Sequence, residues 1–133
     1  METPELTSVF VYGTLKRGQC RESCWPETPT MIQNAWVAGN LYGRSDYPAM
    51  TPGHDRVHGE LWQFQSPQMD RVLKALDQVE AAPTLYRRIT TEVFDPNNQA
   101  LGIAWTYHYA SNPTLDGFQL LIPAADGNIH WPR

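Results

Sequence analysis

The sequence predicts an α+β fold in which strands dominate and the sheet can curl into a barrel. Three observations carry this reading. Short runs rich in Val, Ile, Tyr, Phe and Trp recur along the chain and are punctuated by Gly, Pro and Asn. Residues 86–95 and 100–110 read as two strands around the turn PNNQ, a hairpin. One stretch, 66–80, carries the 3.6-residue period of a helix. A sheet this strand-rich with a single helix belongs to the α+β class, and closure is one way it buries a face.

Taken in order, SVFVYG (8–13) is apolar, β-branched and ends in glycine, as a buried strand feeding a tight turn does. Residues 14–30 are polar, with Pro26 and Pro29, and predict a loop with a short helix. MIQNAWVAGNLYG (31–43) is strand-like, with Gly39 at a bulge or bend. RSDYPAMTPGHD (44–55) is rich in turn residues and predicts a loop, with Pro52–Gly53 as a turn. RVHGELWQF (56–64) alternates, placing Val57 and Leu61 opposite Trp62 and Phe64. The helix follows, with Ser66 as N-cap and Pro67 at its first position. Its apolar stripe is Met69, Val72, Leu73, Leu76 and Val79, and Pro83 ends it near Glu80 by disfavouring helix at Ala82. On the strand 100–110, Ile103, Trp105, Tyr107 and Tyr109 share a face. The tail from Asp116 has one apolar patch and then frays.

The 133 residues suit one domain, spanning 1–133, with a packed interior built from 41% apolar residues that include five Trp and six Tyr. The eleven prolines are scattered, so no linker stands out. No apolar run approaches a membrane span. METPELTS carries two acids and no basic region, unlike a secretory signal, and predicts a cytoplasmic protein. A net charge of −4 without charged blocks argues against nucleic acid or an anionic membrane as partner. Cys20 and Cys24 lack a second ligand pair for zinc, and His58 of the pair His54/His58 leads into a strand. They read as reduced thiols and surface histidines, with no metal.

Two segments invite chemistry. Glu80 lies within about 40° of Met69, Leu73 and Leu76 on the helical wheel, so a carboxylate points where the core residues point. In a fraying last turn it would simply reach water. On a buried face, lost hydration and the negative end of the helix dipole would both raise its pKa, as general acid–base chemistry requires. In YGTLKRG (12–18), a strand ending at Gly13–Thr14 brings backbone N–H groups to a turn, where they can cradle a carboxylate, phosphate or oxyanion. Lys16 and Arg17 add positive charge nearby. An ordinary strand–turn junction with a solvated basic loop has the same sequence. Neither a Walker A nor a GxGxxG pattern is present.

YGTL after the first strand, then VHGELW, ALDQVE and YRR, in this order and spacing, resemble the gamma-glutamylcyclotransferase-like superfamily over residues 8 to about 110. The branch that includes gamma-glutamylamine cyclotransferase is the most similar. The resemblance implies a small mixed β-barrel with flanking helices and a pocket beside the YG[ST]L turn. It implies Glu80 as the catalytic residue and Tyr12, Gly13, Thr14 and Leu15 as the ligand-binding turn. The glycine usual after the catalytic glutamate is Ala81 here, which does not adopt positive φ cheaply.

The implied substrate is a small γ-glutamyl amide whose own amine closes a lactam, 5-oxoproline, with Glu80 as general acid/base and no cofactor. Tyr107 is a further candidate for the pocket wall. Glu60 is a rival carboxylate read as structural or surface, and Asp77 as a local hydrogen-bonding group. Tyr86 and Arg88 are candidates for bracing the Glu80 turn, with Arg88 as a charge partner that would lower the Glu80 pKa. The loops 19–30 and 44–55 would gate the leaving group. Two other functions fit the same residues: a non-catalytic module that holds a small carboxylate ligand, and an unrelated amidase or phosphate-binding protein using Cys20 or Cys24.

Overall fold

A computed structural model describes residues 6–132. Its principal strands are β1 (Ser8–Val11), β2 (Met31–Gly43), β3 (Pro48–Gln63), β4 (Tyr86–Phe94) and β5 (Ala100–Tyr109). They form a closed ring in the order β2-β4-β5-β1-β3, with β3 pairing back onto β2. All neighbours are antiparallel except β1 and β5, which run parallel, so the barrel is mixed. Two short strands extend it: β6 (Gln119–Leu120) on β2 and β7 (Asn128–Ile129) on β3.

Strand periodicity explains how the core divides in two. In β1, Phe10 points into the barrel with Val37, Leu41, Val57, Leu61 and Val93. Its neighbours Val9 and Val11 point outward, where α1 (Met69–Val79) covers them with Met69, Val72 and Leu76. Both faces of β1 are therefore buried, which is why SVFV reads as a continuous apolar run. Leu73 and Val79 are half-buried at the margins of the helix stripe.

Two expectations are corrected. Residues 48–55 are strand, not loop, so the turn between β2 and β3 is confined to residues 44–47. Register explains the misreading: Gly39 faces Asp55 while Asn40 faces Thr51, so Pro52, Gly53 and His54 are accommodated as a bulge. At Gly53 a Cβ would collide with the Asn40 side chain, so the close approach across the bulge requires glycine. Pro52–Gly53 thus marks a bulge inside a long hairpin rather than its turn. Second, the cap of the helical segment is Gln65, not Ser66. The Gln65 N–H donates to Gln68 Oε1 at 2.8 Å, a capping box, and Pro67 falls one place later than the first position. Residues Ser66–Gln68 form a 3₁₀ turn that leads into α1.

The segment 14–30 is loop with one 3₁₀ turn, Glu22–Cys24. Trp25 ties it down: its ring stacks on Trp62 at 4.3 Å between centroids, and its Nε1 donates to the Leu15 carbonyl at 2.9 Å.

Candidate active site

The end of α1 sets where Glu80 stands. The Ala82 N–H donates to the Asp77 carbonyl at 2.9 Å, and the Ala81 N–H to the Gln78 carbonyl at 3.2 Å. These are the two bonds of a Schellman motif. It requires a left-handed residue after the cap, and Ala81 takes that role with φ 50°. Glu80 is the cap itself, with φ −86° and ψ 0°. Its carboxyl therefore leaves the helix on the barrel side and is half-buried rather than free in water.

Glu80 lines a pocket with about 380 Å³ of free space, mouth included. Tyr12, Gly13, Thr14, Leu15 and Tyr107 line the same pocket, so the structure brings together every site residue expected from the sequence. Arg21, Tyr47, Pro48 and Tyr86 complete most of the remaining wall. Burial pushes the Glu80 carboxyl up to about 7, and the Arg21 guanidinium opposes this. No hydrogen bond to that carboxyl is found among the described residues, so only the Arg21 charge acts against its lost hydration.

The 12–15 turn is built for close approach. A Cβ on Gly13 would lie 2.7 Å from Pro48 Cγ, so only glycine fits between β1 and the start of β3. Lys16 N–H returns to the Gly13 carbonyl at 3.2 Å, and Arg21 N–H to the Thr14 carbonyl at 2.8 Å. The N–H groups of Thr14 and Leu15 meet no acceptor among the described residues. They are the donors available to an anion in the pocket.

The phenols of the wall are held rigidly. Tyr12 donates to the Tyr107 carbonyl at 2.7 Å, and Tyr86 to the Pro48 carbonyl at 2.6 Å. Tyr107 donates to Asp77 Oδ1 at 2.6 Å. Burial, reinforced by Glu80 among other charges, raises all three phenols well above the ordinary tyrosine range, so they remain neutral donors.

Arg88 does not pair with Glu80. Its Nε sits 3.1 Å from Asp77 Oδ1, and its guanidinium lies over the Trp105 ring at 4.7 Å. Asp77 therefore absorbs the charge that would have lowered the Glu80 pKa. Tyr86 helps to form the wall through Pro48 and makes no hydrogen bond to Glu80. Lys16 and Arg17 also serve elsewhere: Lys16 Nζ donates to the Trp131 carbonyl, and Arg17 pairs with Glu60. Glu60 is buried and saturated, accepting from Arg17 N–H at 2.8 Å, Arg17 Nε at 2.9 Å and Trp62 Nε1 at 3.2 Å. It pins the 12–18 loop to β3 and does not line the Glu80 pocket.

Cys20 is exposed and Cys24 half-buried, and neither lines the pocket. His58 Nε2 lies 2.8 Å from Asn128 Oδ1. Among the described residues no cluster of three or more His, Cys, Asp or Glu could hold a metal ion, and no helix is long and apolar enough to cross a membrane. Sequence reading missed Arg21 and Tyr47. Both sit in the loops 19–30 and 44–55 expected to gate the leaving group, and segments without periodicity do not say which of their side chains reach the pocket.

The fold is that of a crystallised mouse AIG2-like protein, with a TM-score of 0.68, 21% identity and 98% of each chain covered. Residues 9–127 match the family model described as gamma-glutamyl cyclotransferase, AIG2-like, and the chain belongs to that family. A candidate gamma-glutamylcyclotransferase of Vibrio cholerae is 33% identical over 115 residues, covering 80% of this chain and 85% of the relative. The gamma-L-glutamyl-butirosin B gamma-glutamyl cyclotransferase of Niallia circulans is 27% identical over 118 residues, covering 84% and 72%.

Proposed function

We propose that this protein is a γ-glutamyl cyclotransferase that converts a small γ-glutamyl amide into 5-oxoproline and a free amine or amino acid. The observation that carries the reading is a carboxyl poised at about 7, Glu80, in one pocket with the unclaimed N–H groups of Thr14 and Leu15. The substrate's ammonium gives a proton to the Glu80 carboxylate. The freed amine attacks its own γ-carbon, a C–N bond forms, and the carbonyl oxygen becomes an oxyanion. The N–H groups of Thr14 and Leu15 face that charge. The intermediate then collapses: the original amide C–N bond breaks, Glu80 returns its proton to the departing nitrogen, and the ring nitrogen, cationic since the attack, passes its second proton by way of Glu80 to the same amine, leaving a neutral lactam and an ammonium. Attack is intramolecular, so holding the substrate folded supplies much of the acceleration. The neutral phenols of Tyr12, Tyr86 and Tyr107 shape the wall without competing for the proton. The substrate is the partner this pocket suits, and the mechanism needs no cofactor.

The test is release of 5-oxoproline from a panel of γ-glutamyl amides, comparing wild type with Glu80→Gln. Wild-type turnover that falls by roughly 10²-fold or more in a folded variant is the expected result. Undiminished turnover in Glu80→Gln moves the chemistry to another group. A wild type that binds small carboxylates at the 12–15 turn but turns nothing over would make the protein a binding module on the same fold.

A further inference from the structure

Among the described residues, Arg21 is the only Lys, Arg or His lining the Glu80 pocket. Its backbone is held at both ends, its N–H to the Thr14 carbonyl at 2.8 Å and its own carbonyl accepting from Cys24 N–H at 2.9 Å. Its guanidinium lies 5.9 Å from the centre of the Tyr47 ring and makes no ion pair or side-chain hydrogen bond among the described residues. The other arginines of this region differ in this respect: Arg17 is paired with Glu60, Arg44 with Asp46 and Arg88 with Asp77. A half-buried guanidinium left without an acceptor on a pocket wall is a fork ready for a carboxylate.

Burial indicates which carboxylate. Val11, Tyr12, Leu15, Tyr86 and Tyr107 are buried and form the floor, whereas Arg21, Tyr47 and Glu80 are half-buried and form the rim. The glutamyl part must fold inside, against the turn N–H groups. The part that departs must sit at the rim. When the leaving group is an α-amino acid, its carboxylate is two bonds from the nitrogen that Glu80 protonates. Arg21 and Glu80 line the same pocket, so the guanidinium and the group that serves the leaving nitrogen face one space.

We infer that Arg21, on the pocket rim beside Tyr47, is a specificity residue that binds a carboxylate on the leaving group and selects γ-glutamyl-α-amino acids over γ-glutamylamines. This rests on the cyclotransferase reading above. It assigns the guanidinium to the departing half of the substrate and leaves the glutamyl carboxylate to the floor.

The experiment compares kcat/KM for γ-glutamylalanine and γ-glutamylethylamide, the same molecule without the leaving-group carboxylate. Wild type should favour γ-glutamylalanine by roughly 10- to 100-fold, the scale of a charge-assisted pair. In Arg21→Met the preference should fall to about one, while Arg21→Lys keeps part of it. Taking the ratio within one preparation cancels any loss of folded protein or shift in Glu80 reactivity. A ratio unchanged by Arg21→Met overturns the assignment and leaves the cyclotransferase reading standing. So does an equal loss on both substrates, which would place Arg21 on the shared glutamyl carboxylate. A wild type that releases 5-oxoproline from neither these two nor the wider panel overturns both.

Discussion

At the scale of single residues, Glu80 couples stability and activity to the same titration. Its carboxyl is raised to about 7 in the fold, against an ordinary value near 4.5 in the unfolded chain. Below the ordinary value both states hold the proton and nothing is lost. Between the two values the folded state holds more protons than the unfolded one, so stability falls as pH rises. Above about 7 the loss is complete, roughly 3–4 kcal/mol before discounting for solvent reaching a half-buried group. Glu80→Gln should therefore stabilise the protein at pH 8, by about 1–2 kcal/mol, and leave it unchanged at pH 4. Urea midpoints at the two pH values test this, and equal effects at both would refute it. In the wild type the acid limb of kcat/KM should titrate near the same pH, because the base must be ionised. Glu80 was legible in the sequence because helical periodicity fixes a direction for every residue it covers. Arg21 was not, because a loop has no period, and only the folded chain brings it beside Glu80.

At the scale of elements, the helix end decides how that carboxyl is presented. The Schellman motif places Ala81 at φ 50°, a conformation that costs a non-glycine residue about 1 kcal/mol. Ala81→Gly should relieve that strain and raise stability by about 0.5–1 kcal/mol, less than the full strain because glycine also enlarges the unfolded ensemble. Both bonds to Asp77 and Gln78 survive the change, so Glu80 keeps its direction and activity should be retained. A calorimetric melt and the 5-oxoproline assay check this, and a destabilised variant would contradict it. The sequence showed the departure from glycine at this position but not its conformation, which follows from the two closing hydrogen bonds. The β2–β3 hairpin gives the converse case. Pro52 and Gly53 are turn residues by composition, yet the pairing on either side of them places them in a bulge. Long-range register overrides a local signal that is ambiguous between turn and bulge.

At the scale of the whole molecule, the pocket lies along the β1–β5 seam, one of two junctions in the ring where neighbours meet through a single paired position. β1 meets β5 through one paired position, Val9 opposite Trp105, so the ladder there is short. Two side chains complete the closure: Thr106 Oγ1 donates to the Phe10 carbonyl at 2.9 Å, and Tyr12 donates to the Tyr107 carbonyl at 2.7 Å. The 12–15 turn continues from β1 and Tyr107 belongs to β5, so both walls of the pocket depend on this seam. A continuous apolar run predicted β1 and residues sharing one face predicted β5, but nothing local to either strand states that they run side by side. That pairing joins residues far apart in sequence and is fixed by closure of the ring. Thr106 is fully buried, and Thr106→Val keeps its shape while removing the hydroxyl that donates to the Phe10 carbonyl. The stranded carbonyl should cost about 1–3 kcal/mol. Thr106→Ser keeps the donor and should cost less than Thr106→Val. The loss should appear first as faster amide exchange in β1 and β5, with β2 and β3 still protected, because the lost bond spans those two strands and their ladder has one paired position. Activity should fall with it, by roughly several-fold, since small displacements of the turn from Glu80 weaken alignment of the reacting groups. Uniformly faster exchange across all five strands would mean that the seam is no weaker than the rest of the barrel.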